Sequence, residues 1–158
     1  MSEAPNQVLP SRGKIMRGIR VIITAFIKVG RSILAVLAGF VVVIVITLVT
    51  DAVLHWTHFY PPLGEYNPGS VLIWATIYRT IYGIIGSYVT AALAPARPMK
   101  HALIGGAIGF ILATVGAVVT SNHVPPLGPH WYAVSLIIGA LPTAWLGAQL
   151  YIWKTGAR

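Results

Sequence analysis

Two ionisable residues stand where charge is expensive. Arg79 lies inside a long apolar run, and Asp51 lies at the outer end of the apolar run before it. A guanidinium in hydrocarbon costs about 3 kcal/mol or more unless something holds it, so Arg79 needs a partner, and Asp51 is the candidate. Asp51 follows Arg31 by twenty residues and Arg79 precedes Arg97 by eighteen. On helices those spacings are ~30 Å and ~27 Å from one basic surface. Opposite charges at matching depth on adjacent antiparallel helices predict an ion pair near the outer interface. Intramembrane charges serve as proton relays, substrate contacts or gates. The alternative is a bridge that fixes helix register. The outer position favours the bridge, because water is close and long side chains reach it cheaply.

A second group is imidazole-rich. His55, His58, His123 and His130 all fall on the same outer side as Asp51 and Glu65. Asp51, His55 and His58 are spaced four and three apart, which puts them on one helical face if the first helix extends that far. Imidazoles with a carboxylate suit zinc or copper, or a pH sensor; histidine is equally at home in interfacial loops. The spacing completes no ligand motif, so these four are the candidate metal ligands while no cofactor is expected.

Enzyme signatures are missing. The chain has no cysteine, no H-E-x-x-H and no G-x-S-x-G, and its one intramembrane acid rules out an aspartyl dyad. The chain is read as non-enzymatic, with no catalytic residue.

The elements that must position Asp51 and Arg79 follow from composition. Hydrophobic residues make up 56% of the chain and charged residues 9%, against roughly 25% charged in a soluble domain. That composition requires an integral membrane protein. Apolar runs near 32–54, 71–94, 102–120 and 131–153 each approach the ~20 residues that cross ~30 Å of hydrocarbon. The expected fold class is an all-α membrane protein, a four-transmembrane-helix bundle occupying 32–158. A basic segment, 1–31, precedes it.

The formal charge of +8 is distributed as a topology signal. Arg12, Lys14, Arg17, Arg20, Lys28 and Arg31 precede the first span, and Arg97, Lys100, Lys154 and Arg158 flank later ones. The two loops between paired spans contain no Lys or Arg. The positive-inside rule therefore puts both termini and the middle turn in the cytoplasm, and nucleic-acid binding is excluded as an explanation of the charge. Arg17, Arg20, Lys28 and Arg31 recur at helical intervals opposite Met16, Ile19, Ile23 and Phe26. That pattern predicts an amphipathic helix lying on anionic lipid at the cytoplasmic face.

Small residues at four-residue spacing predict close helix packing. They are Gly105, Gly109, Ala113 and Ala117 in the third span and Ser135, Gly139, Thr143 and Gly147 in the fourth. The second span carries Gly83, Ser87 and Ala91, and Pro142 is expected to kink the fourth. Both outer loops contain Pro-Pro-Leu-Gly, at 61–64 and 125–128, which suggests two duplicated hairpins.

In size, topology and style of helix the chain resembles the small, uncharacterised four-span integral membrane proteins of bacteria. The resemblance implies the bacterial cytoplasmic (inner) membrane and no activity or site. The leading functional expectation is an accessory or structural subunit of a larger membrane complex, meeting other membrane subunits or further copies of itself. A small oligomeric transporter or channel is the alternative, and a periplasmic metal or pH sensor the third.

Overall fold

The structure is a computed structural model that describes residues 12–122, 124 and 126–156. Those residues form four helices and no strand: α1 (Arg12–Trp56), α2 (Gly69–Leu93), α3 (Pro98–Ser121) and α4 (His130–Thr155). α2 packs along α1 and α4, and α4 packs along α3; α1 meets α3 only lightly. The bundle is thus a four-sided arrangement with one thin seam, between α1 and α3.

Its interior is built from small side chains. Ala35, Ala75, Ala91, Ala102, Ala144 and Ala148 are buried, and no large side chain is fully buried. Leu, Ile, Val and Trp side chains point outward instead, as at Val41, Leu48, Ile111, Val119 and Ile138. Water would penalise that arrangement heavily, whereas lipid tails are as apolar as leucine and leave backbone approach at small residues to hold the helices together. Three helical stretches, Met16–Trp56, Pro98–Ser121 and His130–Thr155, are long and apolar enough to cross a membrane. α2 has the length, 25 residues or about 37 Å, but Arg79, five serines and threonines and three tyrosines dilute its apolar character.

The basic segment and the first apolar run are continuous in one helix. α1 is one helix of 45 residues, about 67 Å long. Nothing between Lys28 and Ala35 breaks a helix except Gly30, and the Ser32 hydroxyl donates to the Lys28 carbonyl at 2.9 Å as in any continuous turn. From Met16 to Val29 every side chain is exposed; contact with another helix begins at Ser32, whose hydroxyl lies 2.9 Å from His101 Nε2, and burial begins at Ala35.

Helix crossings occur at glycines, and not always at those the four-residue ribbons suggest. Gly39 and Gly86 bring α1 and α2 into backbone contact: a Cβ on Gly86 would stand 2.8 Å from the Gly39 carbonyl oxygen. Gly106 meets the Ala144 methyl between α3 and α4, and Gly147 lies against the α2 backbone at Ile84 and Tyr88. By contrast a Cβ on Gly109 or Gly139 would meet nothing within 4 Å, and one on Gly105 only Val36 at 3.8 Å. In α3 the packed stripe is Pro98, Ala102 and Gly106, one residue out of phase with the stripe of Gly105, Gly109 and Ala113. That second stripe borders cavities instead. α4 runs unbroken through Pro142.

Candidate functional site

Asp51 and Arg79 are brought together by the α1–α2 crossing. Arg79 Nη2 donates to Asp51 Oδ2 at 2.7 Å. The other oxygen, Oδ1, accepts from the Tyr78 hydroxyl. Because that hydroxyl has one proton and uses it on Asp51, it accepts from Tyr60, whose oxygen lies 2.9 Å away. One turn further in, Thr50 gives its proton to the Ile46 carbonyl, so Tyr82 donates to Thr50 at 2.8 Å. The Tyr60, Tyr78 and Asp51 bonds form a directed chain from the loop after α1 through α2 to α1, and the Tyr82–Thr50 bond is a separate link between the same two helices. Burial pushes the Tyr60 phenol above its ordinary value, so it stays a neutral donor.

The guanidinium lies between two aromatic rings, with Cζ 5.9 Å from the centroids of both Tyr78 and Tyr132. Its Nε is buried and has no hydrogen-bond partner among the described residues. Three cavities border Arg79. An outer one of about 420 Å³ lies between α2, α3, α4 and the loop before α4. A second, of about 190 Å³, lies deeper among all four helices and is walled by Gly83, Gly105, Gly109 and Gly139. A third, of about 220 Å³, holds Asp51, His55 and Tyr60 under the first loop.

The histidines do not converge. His55 Nδ1 lies 2.8 Å from the Asp51 backbone carbonyl, and its ring stands edge-on to Tyr60 at 5.2 Å. α1 ends at Trp56, so His58 leaves the helical face that Asp51 and His55 share. It occupies the left-handed position of the helix terminus, φ 58°. Its N–H donates to the His55 carbonyl, and that of Phe59 to the Leu54 carbonyl, the two bonds of a Schellman cap. His130 begins α4 and is exposed; His123 lies outside the described residues. Among the described residues no three His, Asp or Glu side chains form a metal-sized group.

The outer loops close over the site. The Asn67 N–H donates to the Leu127 carbonyl at 2.8 Å, and a Cβ on Gly128 would lie 3.0 Å from Leu72. The two Pro-Pro-Leu-Gly segments differ in role: Gly64 turns with φ 90° in open space, while Gly128 is held against Leu72 and Asn67. Pro125 lies outside the described residues. The basic stripe of Arg17, Arg20, Lys28 and Arg31 is exposed along the free part of α1.

Sequence reasoning missed Tyr60, Tyr78 and Tyr132. Tyr78 and Tyr82 are four apart, hence on one helix face, and that face meets Thr50 and Asp51 one residue apart on α1; the spacing was the available signal. The chain matches no protein-family model, no curated protein and no solved structure.

Proposed function

We propose that the chain is a non-enzymatic accessory subunit of a larger assembly in a bacterial cytoplasmic membrane. In this reading all four helices cross the bilayer, with both termini and the Pro95–Lys100 turn in the cytoplasm. The observation that carries it is the free length of α1. From Met16 to Val29 every side chain of that helix is exposed, Val21, Ile22 and Phe26 by 68%, 57% and 75%. A helix both apolar and basic over that length requires an external surface. Arg17, Arg20, Lys28 and Arg31 suit anionic lipid, each contributing about 1 kcal/mol, and the apolar side chains suit lipid or a partner's helix. Purification from native membranes in mild detergent tests the reading: it should carry other membrane proteins in fixed ratio. Recovery of the chain alone at native expression would overturn it.

A second reading, a small oligomeric transporter or channel, is favoured by one observation, the meeting of an outer and a deeper cavity at Arg79. Solute flux through reconstituted vesicles that is unaffected by both Arg79→Ala and Asp51→Ala would remove it.

A further inference from the structure

We infer that the outer cavity is a binding site for an amphiphilic anion, a phosphate or carboxylate group carried on an apolar body, with Arg79 as its anchor. The cavity, about 420 Å³, lies within the range of about 300–1,000 Å³ usual for small-molecule sites. Its walls are of two kinds. Leu72, Ala113, Ala117 and Leu136 make an apolar, wide-bore side, while Thr120 and His130 supply hydroxyl and imidazole at the rim.

Arg79 borders this space with hydrogen-bonding capacity to spare. A guanidinium has five N–H donors; Asp51 takes one through Nη2, and the Arg79 side chain keeps 32% of its surface open where it borders the cavity. Asp51 offers the guanidinium one oxygen only, because Oδ1 accepts from the Tyr78 hydroxyl. In surroundings this apolar, an unmet N–H of a cation is costly, and an oxyanion satisfies it with a charge-assisted bond. α4 starts at the same wall with Pro129 as an N-cap that supplies no side-chain hydrogen bond, so its first turn adds positive field to the Arg79 charge. The small residues at Ala113 and Ala117 find their use here, as the clearance for the ligand's apolar body.

The test uses the full chain in phosphatidylcholine nanodiscs, with hexyl phosphate and hexanoate titrated calorimetrically. Saturable single-site binding of one or both is expected, weakened by about tenfold or more in both Arg79→Gln and Ala113→Leu, the scale of one hydrogen bond to a charged group. Ala113→Leu fills the cavity and leaves the ion pair alone, so it decides the matter if Arg79→Gln does not fold. A smaller change in a folded variant of either kind, or no saturable binding by the unaltered chain, overturns the site. Native mass spectrometry from phosphatidylglycerol-containing nanodiscs separates the sources. Retained phosphatidylglycerol that hexyl phosphate displaces assigns a lipid headgroup; binding without retained lipid assigns a free anion.

Discussion

Tyr78 and Arg79, consecutive on α2, take the two different oxygens of the Asp51 carboxylate. Neighbouring helical residues project about 100° apart, so one carboxylate from α1 is gripped from both sides of the facing ridge. A pair held this way fixes both the rotation and the axial register of α1 against α2. It also leaves the guanidinium a single carboxylate oxygen, so its other donors are short of acceptors.

The grip makes the two charges mutually dependent. Asp51→Asn strands a guanidinium, and Arg79→Gln strands a carboxylate; each should lower unfolding stability in detergent by about 1–3 kcal/mol, the cost of an unmet partly buried charge. The double variant should be less damaging than the sum of the singles, by at least about 0.5 kcal/mol of coupling. Thermal unfolding of the four proteins measures this, and simple additivity would show that the pair is not coupled.

Glycine positions that look alike in the sequence should behave oppositely. Gly86→Ala and Gly147→Ala drive a methyl into facing backbone, at the Gly39 carbonyl and at Tyr88 N, both 2.8 Å from the new atom. Overpacking of that kind costs about 1–3 kcal/mol. Gly109→Ala and Gly139→Ala enter open space and gain about 0.4–1 kcal/mol from helix propensity and a less flexible unfolded chain. Equal effects at all four positions in a melting series would sink the distinction.

These positions also show what the sequence could and could not say. The meeting of Asp51 and Arg79 was legible, because helical rise converts residue counts into ångströms and puts the two at matching heights on adjacent helices. Close packing at small residues was legible too, but its phase was not. α3 presents Ala102 and Gly106 beside Gly105, Gly109 and Ala113, two adjacent stripes of equal promise, and only the partner helix selects between them. α2 has the length of a span, yet the polar residues that build the network are those that dilute its apolar signal. Tyrosines in membrane helices read as interfacial, so nothing marked Tyr78 as the second hand on Asp51.

His58 carries a separate expectation. It sits at φ 58°, at the position after a helix where glycine is usual because a side chain there costs roughly 1 kcal/mol. His58→Gly keeps both cap hydrogen bonds, which are backbone bonds, and should leave stability unchanged or raise it by up to about 1 kcal/mol. If His58 were instead a ligand of a bound metal, the same substitution would lower the melting point in the presence of zinc, and the melting experiment with and without zinc separates the two roles.

The crossing of α2 is the point on which the proposed topology turns, and the absence of cysteine in the chain makes it directly measurable. Leu63 is 87% exposed in the first loop, and Lys100 is exposed in the first turn of α3. If α2 spans the bilayer, Leu63→Cys reacts with a membrane-impermeant maleimide added to intact spheroplasts, while Lys100→Cys reacts only after the membrane is permeabilised. α2 is about 37 Å long and its ends carry no charged residue in the first or last turn, so neither end offers a charge to hold it on one surface. Arg79 lies ten residues, about 15 Å, from the start of α2 and close to its middle, and there the ion pair and the ring faces of Tyr78 and Tyr132 reduce the cost of keeping it within the bundle. Labelling of both cysteines from the same side would mean that α2 does not cross, and the four-span topology would fall with it.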